Sequence, residues 1–132
     1  MAGFPLKIVT PDGLEFDGMA EQLIVRTVTG DMGIMAKHAD CVAPLGMGEA
    51  TVVIDGQRRR AACIGGMVSV INGSVNLVPT TFEWAEEIDV ERAEASEKRA
   101  QAVLANKNAT DTEIKLAKAR LRRALVRKNV RK

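Results

Sequence analysis

Aromatic residues are almost absent from this chain: three Phe, one Trp and no Tyr in 132 positions. Its core must therefore be built from Val, Ile, Leu, Ala and Met, and recognition by aromatic stacking has little to work with. There is one histidine, His38, so neither a His-based metal centre nor a Ser-His-Asp triad has its parts. The two cysteines, Cys41 and Cys63, stand in apolar surroundings without CxxC spacing, which predicts reduced, buried thiols and a cytoplasmic location. No apolar run approaches the roughly 20 residues that span a bilayer. Met1 to Lys7 lacks the charged lead, apolar run and cleavage site of a secretion signal, so export is not expected. Phosphate-loop and dinucleotide fingerprints are missing as well: Gly65-Gly66 is followed by Met-Val-Ser, and no GxGxxG occurs. Without a catalytic constellation, the chain is not expected to be an enzyme.

Charge is present, and it is divided unevenly. Residues 1–83 hold 6 basic and 9 acidic side chains, whereas residues 84–132 hold 13 and 8. From Glu113 to the end there are 9 basic residues and 1 acidic one. Such a tail is either a solvated helix face or a surface that expects an acidic partner, such as a protein, phosphates or a membrane face.

The pattern of apolar residues changes at the same boundary. Before it, short alternating runs are separated by turn residues. Lys7 to Thr10 leads into Pro11-Asp12-Gly13, and Gln22 to Val28 is closed by Thr29-Gly30-Asp31. Thr51–Ile54 and Gln57–Ile64 flank Asp55-Gly56, and Met67–Ile71 and Ser74–Val78 flank Asn72-Gly73. Both turns have the composition of a type I′ hairpin. Gly65-Gly66 between the hairpins predicts a bulge or a close backbone approach. Short strands with frequent turns predict a sandwich or barrel over residues 1–85. After the boundary, Val90, Ala93, Ala100 and Leu104 fall on one helical stripe, Asn106 to Ala109 interrupt it, and Thr110-x-x-Glu113 is a capping box that opens a second helix. The second seam is Ile114, Ala117, Leu121 and Ala124. Residues 86–132 are thus expected to form an antiparallel α-helical hairpin with a thin, Ala-rich interface. A hairpin of that kind is marginal by itself and is therefore suited to docking or release under the control of a ligand or partner.

Ile88-Asp89-Val90-Glu91-Arg92-Ala93, at the junction, has two readings. Asp89 is the N-cap of the first helix, accepting from the backbone N–H of Glu91 or Arg92. Alternatively, Asp89 accepts from a ligand amine while Arg92 binds an anion, with backbone groups near Ile88 and Ala93 completing the site. Across the hairpin, Arg122, Arg123 and Arg127 are expected to meet Arg92 and Arg99. Arginines that converge without acids are costly unless an anion sits among them.

The order of these features resembles the ε subunit family of the bacterial F-type ATP synthases over essentially the whole length. The motifs are Val9-Thr10-Pro11-Asp12-Gly13, Gly30-Asp31-Met32-Gly33-Ile34 with His38 following, Ile64-Gly65-Gly66 before Val68, and Ile88-Asp89-x-x-Arg92-Ala93. The resemblance implies an N-terminal antiparallel β-sandwich that binds the γ subunit and rests on the c-ring through Asp31 and His38, followed by a C-terminal two-helix hairpin. It implies a non-catalytic rotor subunit at the cytoplasmic face of the inner membrane, peripheral to it, in a proton-translocating enzyme. The hairpin's basic end would reach the catalytic β and α subunits and inhibit ATP hydrolysis. Similarity to the bacillus-like branch implies ATP as a regulatory ligand rather than a required cofactor, held by Ile88, Asp89, Arg92 and Ala93, with Glu83 as a supporting acid, Arg99 reaching the phosphates, and Arg123 and Arg127 from the second helix. Arg122 is then the neighbour of the match. The family usually has Pro-Gly before the histidine and Pro two residues after it, where this chain has Ala36-Lys37 and Asp40. The alternatives are a basic-tailed adaptor without nucleotide sensing, or a nucleic-acid-binding module. The scarcity of aromatic platforms argues against the second, so no nucleic acid is expected.

Overall fold

The computed structural model describes residues 3–131. The chain divides into two compact units at Ala85/Glu86, and each is taken by itself.

Ten strands make up the first unit: β1 Phe4–Thr10, β2 Gly13–Ala20, β3 Gln22–Thr27, β4 Gly30–Ile34, β5 Cys41–Pro44, β6 Met47–Ile54, β7 Gln57–Ile64, β8 Met67–Ile71, β9 Ser74–Val78 and β10 Thr81–Trp84. They form two five-stranded sheets, ordered β2-β1-β9-β8-β5 and β10-β7-β6-β3-β4. All pairings are antiparallel except β1 with β9. The period-2 pattern decides which side chains enter the core. In β1, Phe4, Leu6 and Ile8 are buried while Pro5 and Lys7 are exposed. Val75 and Leu77 of β9 and Val68 and Val70 of β8 line the same sheet beside them, and Leu23 and Val25 of β3 join the core from the other sheet. Four buried or half-buried small residues, Ala43, Ala50, Ala61 and Cys63, complete a core with few rings. Burial pushes the Cys63 thiol up to about 12, because a thiolate there would lose its hydration. Cys41 and Cys63 are both free thiols; Cys63 is buried as expected, whereas Cys41, on the edge strand β5, is only half-buried.

The turns follow from their residues. Asp55 and Gly56 have φ of 50° and 76°, and Asn72 and Gly73 have 49° and 80°, the type I′ signature. Gly66 answers to a close approach: with φ of 92°, an added Cβ would lie 2.0 Å from the Val78 carbonyl oxygen and 2.6 Å from Pro79 Cα. The buried polar side chains Thr10 and Thr27 each close a hairpin, donating to Gly13 O at 3.3 Å and Gly30 O at 2.7 Å. The sequence reading ends a strand at Thr29-Gly30-Asp31, whereas the chain turns there and continues as β4. Thr27 supplies the reason, because its hydroxyl bonds both Thr29 and Gly30 and so folds the turn back on itself.

Helices α1 Val90–Ala105 and α2 Asp111–Arg131 make up the second unit after a 3₁₀ turn at Ala85–Glu87. Asp89 caps α1, its Oδ1 accepting from Arg92 N at 3.1 Å. Asn106 ends α1 through a backbone bond to Val103 O at 3.1 Å, and its side chain takes the Asn108 N–H at 2.9 Å. The capping box of α2 is complete: Glu113 N donates to Thr110 Oγ1 at 3.1 Å and Thr110 N donates back to Glu113 Oε1 at 3.4 Å, which also accepts from the Thr110 hydroxyl at 3.0 Å. The helices pair antiparallel along Ala93, Ala100, Ala117 and Ala124, all buried, with Leu104, Ile114 and Leu121 half-buried beside them. Lys128 Nζ clasps Glu97 across the pair at 3.2 and 3.3 Å.

Candidate functional site

A groove of about 650 Å³ opens within the helical pair, inside the range of small-ligand sites. Its arginine wall consists of Arg99 from α1 with Arg120, Arg123 and Arg127 from α2, and its apolar wall of Ala100, Val103, Leu116 and Ala117. Helical periodicity builds the arginine wall. Residues 116, 120, 123 and 127 repeat at intervals of four, three and four, so they share one face of α2. The acid in the lining, Glu113, has its Oε1 occupied by Thr110. Among the described residues, no carboxylate bonds Arg99, Arg120 or Arg123. Guanidinium groups gathered in this way beside aliphatic side chains have the charge and donors that suit a polyanion.

Of the residues expected to bind nucleotide, Arg99, Arg123 and Arg127 are brought together here. Ile88, Asp89, Arg92 and Ala93 lie outside this lining, at the start of α1. Ile88 and Ala93 are buried there, while Asp89 and Arg92 are exposed. The Asp89 carboxylate serves as the cap, which is the structural one of its two readings; its second oxygen carries no bond to the Arg92 amide. Glu83 belongs to the first unit, on β10 opposite Ala62, whose other cross-strand neighbour is Glu49. Arg122 is exposed and outside the groove, because one residue on a helix is a rotation of about 100°. The expected meeting of Arg122 with Arg92 and Arg99 is therefore not part of this groove. Sequence reasoning missed Arg120, although its interval to Leu116, Arg123 and Arg127 was there to be read.

The two expected ring-contact residues lie on and after β4. Asp31 pairs in register with Arg26 of β3 and receives its Nε–H at 2.6 Å. That hydrogen bond holds the Asp31 carboxyl below its ordinary value and raises the Arg26 guanidinium. His38 follows in the loop to β5. Its Nδ1 donates to Ala39 O at 2.7 Å, so Nε2 is the ring nitrogen left for a partner. The loop is tied down by Asp40, whose Oδ1 accepts from Asn72 N at 2.9 Å. Lys37 adopts φ of 67°, so the left-handed backbone persists where the resemblance would put glycine. Elsewhere in the sandwich, Trp84 packs edge-on against Phe82, with ring centroids 4.9 Å apart, and carries Arg59 over its face at 3.7 Å.

Comparison with known proteins agrees with this architecture. A family model described as the β-sandwich domain of the ATP synthase delta/epsilon chain matches residues 3–85, and the long α-helix domain of the same chain matches residues 86–131. The chain is 42% identical over 125 residues to the ATP synthase epsilon chain of Bacillus velezensis, covering 95% of this chain and 94% of that one. It is 37% identical over 132 residues to the epsilon chain of Shouchella clausii, covering 100% and 97%. The fold is similar to a chain in the mitochondrial ATP synthase of Euglena gracilis, resolved with OSCP, F1 and c-ring. There the TM-score is 0.85 at 21% identity, over 98% of this chain and 81% of the other.

Proposed function

The chain belongs to the ATP synthase delta/epsilon family, whose epsilon chains are non-catalytic subunits, and from that membership we propose that it is a regulatory subunit of the central stalk. The sandwich binds the γ subunit and meets the c-ring through the β4 strand and its following loop, where Asp31 and His38 lie. The helical pair is the mobile part. It folds together when ATP occupies the arginine groove, and otherwise opens so that the basic face of α2 engages acidic segments of the catalytic β and α subunits and slows ATP hydrolysis. No helix among the described residues is long and apolar enough to cross a membrane, and the subunit works peripherally at the cytoplasmic face of the inner membrane.

One observation carries the nucleotide part of this reading: Arg99, Arg123 and Arg127 share a groove whose acid is occupied by a cap. The thin seam supports the mobility, because four buried alanines and one valine, Val130, remove less apolar surface from water than leucines at those positions would. A ligand that binds the closed pair alone stabilises it by about 2.7 kcal/mol at a hundredfold over its Kd, enough to move an element balanced within a few kcal/mol. Circular dichroism melting of the full chain with and without ATP tests the reading. A rise in helix melting with ATP, reduced in Arg123→Ala and Arg127→Ala, is the expected result. Melting that ignores millimolar ATP removes the sensor and leaves the stalk role, which is tested separately by co-purification with γ and the c-ring.

A further inference from the structure

The arginine face of α2 holds one residue more than the family resemblance supplies. Arg120 lines the same groove as Arg99, Arg123 and Arg127, and among the described residues it bonds no carboxylate. From Arg120 to Arg127 is about 10 Å of helix at 1.5 Å per residue. Charges of one sign spaced along that length repel one another. A lone phosphate can answer only one or two of them, whereas a chain of phosphates can run beside all. The apolar part of the lining, Ala100, Ala102, Val103, Leu116 and Ala117, is aliphatic, and residues 86–132 contain no aromatic side chain. The groove therefore has no stacking platform for a base, and its chemistry is directed at phosphate.

We propose that Arg120 is a further anion-binding residue of this groove and sets its preference for the longer phosphate chain, triphosphate over diphosphate over monophosphate. The proposal rests on the nucleotide reading above and deepens it. The atoms involved are the Arg120 guanidinium N–H groups, which donate to non-bridging oxygens of the outer phosphates while Arg123, Arg127 and Arg99 hold the rest.

Isothermal titration of the full chain with ATP, ADP, AMP and inorganic tripolyphosphate tests this. Arg120→Gln keeps good helix propensity at an exposed position. It is expected to weaken ATP and tripolyphosphate about tenfold, the usual scale for losing a charged hydrogen bond, while changing AMP less than about twofold. Lys118→Gln makes the same charge change at an exposed site outside the groove and is expected to leave all four ligands alone. An Arg120→Gln chain that binds ATP like the wild type overturns the proposal and spares the nucleotide site. So does equal weakening of ATP and AMP, or an equal effect from Lys118→Gln. A wild-type chain that binds none of the four ligands removes the nucleotide reading and this inference together.

Discussion

The two units of this chain are held together by different means. In the sandwich, Leu6, Ile8, Leu23, Val25, Val52, Val68, Val70 and Leu77 are fully enclosed, and long-range strand pairing ties residues 4 to 84 into two sheets. In the helical pair, the side chains buried on the helices are Ala93, Ala100, Ala117, Ala124 and a single larger one, Val130, and Lys128 pairs with Glu97 across the pair. The first arrangement resists local opening. The second relies on helix caps, a thin seam and polar links such as the Lys128–Glu97 pair. One chain thus carries a densely packed unit and a thinly packed one by varying side-chain size.

The contrast can be broken first at its most rigid point. Gly66→Ala should cost the sandwich about 4 kcal/mol or more in urea unfolding, because the new Cβ meets the Val78 carbonyl and the backbone has φ of 92°. A cost under about 1 kcal/mol would mean that the β8–β9 region yields more easily than its packing implies. The Cys63 thiol gives a comparable effect through pH. Below about pH 9 it is protonated in folded and unfolded chains alike. Between its usual 9.0 and the folded value of about 12, the unfolded chain ionises and the folded chain does not. Stability should therefore fall as pH rises, by up to about 4 kcal/mol over that window, and Cys63→Ala should flatten the fall measured by chemical denaturation.

Smaller changes sharpen the contrast from the other side. Thr110→Ala removes the cap of α2 and should cost about 1 kcal/mol, seen as lower helicity at 222 nm with the sandwich unfolding transition unmoved. Lys37→Gly should stabilise the sandwich by about 0.5 kcal/mol, because relief of the left-handed strain exceeds the extra backbone entropy of glycine. Urea midpoints that fall instead would show that the Lys37 side chain holds the loop.

Legibility in the sequence followed the strength of local rules. Asp55-Gly56 and Asn72-Gly73 were readable because a type I′ turn demands positive φ at both central positions. Thr110 and Glu113 were readable because a capping box is fixed by an interval of three. β2 and β4 were not, since Gly13–Ala20 and Gly30–Ile34 are rich in glycine and acids and become strands only by pairing with β1 and β3. The candidate site was half legible. Arg99, Arg123 and Arg127 were named and do share a groove, but Arg120 was passed over. The stronger local motif is at the start of α1, where Asp89 is occupied as a cap.

The enclosure of Cys63 also decides how the chain can be tagged. At neutral pH its sulfur offers no appreciable nucleophile, which leaves Cys41, half-buried against the core on the edge strand β5, as the more accessible thiol for a maleimide dye. The native sequence thus comes with a single attachment point on its rigid part, and rotation of an assembled stalk can be followed by polarised fluorescence without removing a cysteine first.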